Sequence, residues 1–183
     1  MRSAITSTST VSHTYHDDDS RPKRVYKNAD VILESSPGVG ALHLGDFMAA
    51  QDKSYFEKHK ISCILTVAIV DKFVSHKDVI RHHKVVSVED RPEVKLNEFF
   101  KDCFKFIHEH RNKGENVLVH CMAGVSRSAT IVIGYLMTVY PSMDFETAFN
   151  QVRKKRKVIR PNDGFLEQLR EYDRQIQEKK KKR

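Results

Sequence analysis

The string Val117-Leu118-Val119-His120-Cys121-Met122-Ala123-Gly124-Val125-Ser126-Arg127-Ser128 constrains this chain more than any other, because an apolar strand pattern passes through a short loop into an apolar helix pattern. A loop that leaves a strand and winds into a helix N-terminus turns successive backbone N–H groups inward, at the positive end of the helix dipole. Met122, Ala123, Gly124, Val125, Ser126 and Arg127 are therefore candidate binders of a phosphate-sized anion, with no metal required. The same field favours thiolate over thiol, so Cys121 is the candidate nucleophile. Arg127, six residues on, carries a planar fork suited to two parallel bonds with phosphoryl oxygens, which the point charge of lysine does not reproduce. Ser128 is placed to donate its hydroxyl to the sulfur as it leaves, and His120 to help hold the thiolate. An isolated cysteine after a strand is ordinarily packing. The complete string of His-Cys, five residues and Arg-Ser between a strand and a helix outweighs that reading.

Thiolate attack on a phosphoester strands an alkoxide or phenoxide that needs a proton as it departs. Asp90, in Val88-Glu89-Asp90-Arg91-Pro92, follows a strand pattern and precedes a helix pattern, 31 residues before Cys121. Loops at the carboxyl ends of parallel strands converge on one rim of the sheet. Asp90 is thus the candidate acid, and afterwards the base that activates water. Glu89 is its rival, and an exposed turn aspartate is the alternative without function.

The 183 residues suit one domain of about 150 with tails. Residues 1–25 are rich in Ser, Thr and His, include Asp17-Asp18-Asp19, and are expected to form a flexible arm; residues 26–177 form the domain and 178–183 a basic tail. Cys63, Cys103 and Cys121 make an odd, unspaced set, so disulfides are not expected and a reducing compartment fits. Cys63 and Cys103 read as packing, with a resolving role for an oxidant-sensitive exposed thiolate as the alternative. Met1-Arg2-Ser3-Ala4 opens no signal peptide and no segment reads as a membrane span, so a cytoplasmic or nuclear protein is expected. The net charge of +8 is concentrated in Arg153-Lys154-Lys155-Arg156-Lys157 and Lys179-Lys180-Lys181-Lys182-Arg183. Such runs suit anionic substrates or a nuclear address. No aromatic stacking motif accompanies them, so specific nucleic-acid binding gains little support.

Val31-Ile32-Leu33 and Ala41-Leu42-His43-Leu44 flank the turn signal Pro37-Gly38 and suggest a hairpin, and Asp46 opens a short helical region reaching Tyr55 and Phe56. Residues 61–68, 84–88 and 117–120 read as buried strands of a mostly parallel sheet. Phe99, Phe100, Cys103, Phe104 and Ile107 make a core-facing helical stripe before Gly114. Helices follow over 130–139 and 144–155, and Asn162 caps a last one built on Phe165, Leu166, Leu169, Tyr172 and Ile176. The alternation predicts an α/β domain with helices on both faces of the central sheet.

These residues resemble a known family, the small, atypical dual-specificity protein phosphatases of the cysteine-based tyrosine phosphatase superfamily. The resemblance rests on Leu42-His43-Leu44-Gly45, Ile64-Leu65-Thr66-Val67-Ala68, Val88-Glu89-Asp90, the string around Cys121 through Thr130, Tyr135-Leu136-Met137, and Ile159-Arg160-Pro161-Asn162-Asp163-Gly164-Phe165 with Gln168-Leu169. It implies the phosphatase fold, with Cys121 as nucleophile, Arg127 on the phosphate, Asp90 as acid, Ser128 aiding thiolate release, His120 and Asn162 in support, and no cofactor. It also implies phosphotyrosine and phosphoserine or phosphothreonine in proteins as substrates, mitogen-activated protein kinases among them. His43 replaces the family's usual Tyr, and Gly134-Tyr135 its usual Ala-Tyr. Two rival readings are a phosphatase of another polyanion (a phosphoinositide, phosphoglucan or RNA 5′-triphosphate) and a non-catalytic phosphoprotein-binding module. The uncharged Met122, Ala123 and Val125 weigh against phosphoinositides. The oligomeric state is not encoded legibly.

Overall fold

A computed structural model describes residues 28–70 and 76–182, so the arm expected at 1–25 lies outside the described residues. The elements run β1 (Ala29–Leu33), β2 (Leu42–Gly45), a 3₁₀ turn (Ala49–Gln51), α1 (Lys53–His59), β3 (Ile61–Val67), β4 (His82–Val86), a second 3₁₀ turn (Leu96–Phe99), α2 (Phe100–Arg111), β5 (Asn116–His120), α3 (Arg127–Val139), α4 (Phe145–Lys155) and α5 (Asp163–Lys181). The sheet order is β1-β2-β5-β3-β4. The β1–β2 hairpin is antiparallel and every other pairing parallel, so the mixed, mostly parallel α/β sheet is as expected.

The two faces of the sheet are covered unequally. Val117, Val119, Leu65 and Val67 point into a large core with side chains of α2, α3, α4 and α5. Leu118 and Ile64 meet Phe56 of α1 and Ala49 and Ala50 of the first 3₁₀ turn in a smaller one. A register shift between Ile61 and Cys63 puts Ile61 on the same side as Ile64, out of the strand's two-residue alternation. The central helix α3 is buried through all but its last turn. Gly134 is what lets it lie so close to α2, since a Cβ there would stand 2.6 Å from Cζ of Phe104. The other departure from the family pattern, His43, is buried and pairs its Nδ1 with the Tyr55 hydroxyl at 2.8 Å.

Four local expectations are revised. The helical region from Asp46 is two pieces: Asp46 accepts from the Ala49 N–H at 2.9 Å and Asp52 caps α1 from the Tyr55 N–H at 3.0 Å. The strand expected at 84–88 is β4, two residues earlier, and as an edge strand it exposes His82, His83 and Val85. Phe99 is 36% exposed, because the three-residue period of the 3₁₀ turn carries it off the stripe that Phe100, Cys103, Phe104 and Ile107 continue. The basic tail is the end of α5, whose Lys180 Nζ donates to the Pro141 carbonyl at 2.6 Å. Cations are favoured at that end of a helix. Among the described residues no helix is long and apolar enough to cross a membrane.

Candidate active site

Cys121 follows β5, which lies between β2 and β3 in the middle of the sheet. It is 1% exposed, so the thiol forms the floor of the site. The Ser128 hydroxyl donates to its sulfur at 3.1 Å. The loop above it is held from outside by its carbonyl oxygens. Met122 accepts from the Phe47 N–H at 3.1 Å and Val125 from the Arg160 N–H at 2.8 Å. Gly124 accepts from Arg156 Nε at 2.8 Å, and Ala123 from Arg156 Nη2 at 3.5 Å. In a trans peptide the N–H points opposite the preceding C=O. Four outward carbonyls therefore turn the N–H groups of residues 123–126 inward, making the anion cradle. Gly124 has φ +64°, and a Cβ on it would meet the Gly45 carbonyl oxygen at 2.6 Å and Arg156 Nη2 at 2.7 Å.

In sequence Arg156 belongs to the basic run Arg153-Lys154-Lys155-Arg156-Lys157, but unlike its neighbours it faces inward. It is 3% exposed and its Nη1 pairs with Asp30 Oδ2 at 2.9 Å, so it joins β1 to the underside of the loop. The buried positions of α4, Phe145, Ala148 and Val152, step on to 156 at helical spacing, and that stripe was the signal available in the sequence. Arg156→Met strands the Asp30 carboxylate and frees two loop carbonyls. The expected result is a loss of about 3 kcal/mol in urea denaturation, together with weaker competitive inhibition by inorganic phosphate.

Asp90 stands across the cradle with about a third of its side chain open to solvent. Its Oδ1 accepts from the Ser126 hydroxyl at 2.6 Å and from Asn162 Nδ2 at 2.9 Å. Asn162 also caps α5 through the Phe165 N–H at 3.0 Å and donates its own N–H to Ser126 Oγ at 3.2 Å. One residue thus ties α5, the loop and the acid together. Arg127 donates Nη1 to the Val88 carbonyl at 3.1 Å, while its Nε is buried without a hydrogen-bond partner and lies 3.5 Å from Asp90 Oδ2. A buried donor left unmet is costly, and a phosphoryl oxygen would complete it. Glu89, the rival acid, is paired with Arg91 at 2.8 Å and exposed.

His120 is wholly buried, and burial pushes its pKa down to about 4, so it is neutral at physiological pH and does not hold the thiolate by charge. Its Nδ1 lies 3.2 Å from the Cys121 carbonyl, which can only accept, so Nδ1 carries the proton and Nε2 accepts from the Thr66 hydroxyl at 2.7 Å. Thr66 Oγ1 is in turn 2.9 Å from His83 Nε2. His120 therefore orients the loop's first peptide. Burial also lowers His43 to about 4. Between pH 6.5 and 4 the unfolded chain takes up protons that these two folded imidazoles refuse, so stability falls as pH falls through that window. The loss is on the order of 2–3 kcal/mol each near pH 4. Thermal melts should show it, with a shallower slope in His43→Asn. Cys63 and Cys103 are both fully buried, and burial pushes each thiol up to about 12, so neither is an accessible thiolate at neutral pH.

A family model described as "Dual specificity phosphatase, catalytic domain" matches residues 42–175. Dual specificity protein phosphatase 19 of Mus musculus is 44% identical over 147 residues, covering 78% of this chain; the chain spans 64% of that relative's length. Dual specificity protein phosphatase 22 of Homo sapiens is 40% identical over 135 residues, covering 73% of this chain and 70% of the relative. The human tyrosine phosphatase-like serine/threonine/tyrosine-interacting protein superposes with a TM-score of 0.71 at 32% identity, over 81% of this chain and 97% of that one. A catalytic-domain match over most of the chain, relatives of this identity and a shared fold lead to one conclusion: the chain belongs to the dual specificity phosphatase catalytic-domain family.

Proposed function

We propose that the protein hydrolyses phosphotyrosine and phosphoserine or phosphothreonine in protein substrates through a cysteinyl-phosphate intermediate. The observation that carries this reading is the meeting of Cys121, Ser128, Arg127 and Asp90 around one cradle. The Cys121 thiolate attacks phosphorus, the bond to the leaving oxygen breaks, and Asp90 gives that oxygen its proton. Oδ1 is occupied by two donors, so Oδ2 is the oxygen left to carry it. The inward N–H groups and the Arg127 guanidinium hold the charge that spreads over the three equatorial oxygens. The Asp90 carboxylate then takes a proton from water, whose oxygen attacks phosphorus; the S–P bond breaks and Ser128 donates to the departing thiolate.

A protein substrate is favoured over a polyanion by the rim. Met48, Ile69 and Met122 follow β2, β3 and β5 at the edge where the loop stands, and are 62%, 50% and 48% exposed. Exposed apolar side chains suit a folded or extended polypeptide better than a sugar or lipid headgroup. Mitogen-activated protein kinases are candidate substrates, and cytoplasm or nucleus the candidate location. The binding-module reading is favoured by no observation here, since nucleophile, arginine and acid are present and assembled. Turnover of phosphotyrosyl and phosphothreonyl peptides by the wild type, with a trapped phosphothiolate on acid quench, tests the proposal. Binding of both peptides without release of phosphate overturns it.

A further inference from the structure

At the end of the sheet remote from the catalytic loop, a second set of reactive groups converges from three elements. Cys63 lies early in β3, His110 in the last turn of α2, and Glu115 just before β5. Their Sγ, Nδ1 and carboxylate oxygen all lie within 4.8 Å of one another. Glu115 Oε2 is 3.6 Å from Cys63 Sγ and 2.6 Å from His110 Nδ1. His82, opening β4, holds Nε2 3.7 Å from Glu115 Oε1, and its ring centroid is 4.3 Å from that of His110. Cys63 pairs with Val117, four residues before Cys121, which puts the cluster about 13 Å along the strands from the nucleophile.

We propose that Cys63, His110 and Glu115 bind one zinc-class divalent cation, with His82 beside the fourth coordination position. A thiolate, an imidazole and a carboxylate are the mixed soft and hard donors that zinc takes in tetrahedral sites. Bonds of about 2.0–2.3 Å place tetrahedral ligand atoms about 3.3–3.8 Å apart. The separation of Cys63 Sγ from Glu115 Oε2 already falls there, the His110–Glu115 hydrogen bond must open by about 1 Å, and His82 Nε2 stands 3.7 Å from the other carboxylate oxygen, on the side from which a fourth ligand would approach. Thiolate and carboxylate together neutralise the two charges of the ion. On binding, Cys63 releases its proton to solvent, His110 gives up the Nδ1 proton it donates to Glu115 so that its ring proton sits on Nε2 and the Nδ1 lone pair faces the ion, and Arg81 gives up its 3.1 Å pairing with Glu115. Arg81 is 65% exposed and His82 45%, so the cover over the site opens without disturbing the core. The competing account is a hydrogen-bonded ion cluster alone, in which Arg81, His110 and the Cys63 thiol all donate to the Glu115 carboxylate.

The test uses the full chain carrying Cys121→Ser, so that the catalytic thiol contributes nothing. Titration with Co²⁺ is expected to produce a thiolate-to-cobalt charge-transfer band saturating at one equivalent and displaced by Zn²⁺. Adding Cys63→Ser should abolish the band, and adding Glu115→Gln should weaken cobalt affinity at least about tenfold. Circular dichroism checks folding; should Cys63→Ser not fold, the partly exposed Glu115 variant decides. Absence of the band, its survival in Cys63→Ser, or unchanged affinity in Glu115→Gln overturns the proposal.

Discussion

Cys121→Ser is expected to lower kcat on aryl phosphates and phosphopeptides by at least about 10⁴-fold, as removal of a covalent nucleophile does. A serine hydroxyl is a far weaker nucleophile than a cysteine sulfur, and no base stands beside it: His120 is turned to the Cys121 carbonyl and to Thr66, and Ser128 is a donor. The cradle itself is built from carbonyls bound by Phe47, Arg156 and Arg160, none of which touches the sulfur. Phosphopeptide affinity should therefore be kept while turnover vanishes. Calorimetric titration beside single-turnover hydrolysis separates the two. Appreciable burst release of the leaving group from this variant would remove Cys121 from the mechanism.

Asp90→Asn should lower kcat by about 10²–10³-fold on phosphopeptides, whose leaving oxygens are basic, and far less on a substrate with an acidic nitrophenol leaving group. The amide oxygen still accepts from Ser126 and Asn162, so the acid loop keeps its main anchors. What changes is the second position, where an NH₂ would face Arg127 Nε, donor against donor, and has no proton to give. An equal loss on both substrates would make Asp90 a loop anchor and return the proton donor to an unidentified group. Comparison with Asn162→Ala, which removes one Oδ1 donor and the α5 cap, should give a smaller kcat loss and a measurable loss of stability of about 1 kcal/mol.

The site was legible in sequence to the extent that its chemistry is local. A strand, a six-residue loop and a helix are contiguous, so the cradle and the spacing of Cys121, Arg127 and Ser128 follow from backbone geometry alone. The cap of Asn162 follows likewise, from a side chain bonding an N–H three residues on. Asp90 needed the parallel sheet to be assumed before its loop and that of Cys121 could share an edge. What misled the reading was charge: Arg156 looks like its neighbours Lys155 and Lys157 in one dimension, and only the α4 stripe hints that it faces inward.

The placement of Cys121, Arg127 and Ser128 about one loop, and the order in which strands and helices alternate, are thus set by contacts within a few residues. The tertiary structure alone decided that Arg156 and Asp30 brace the loop, that His120 is neutral and faces Thr66, that Asp90 offers Oδ2, and that Cys63, His110 and Glu115 meet. Each of these joins residues distant in sequence or depends on how fully a group is buried, and both are set only when the sheet order places β1, β2, β5, β3 and β4 side by side.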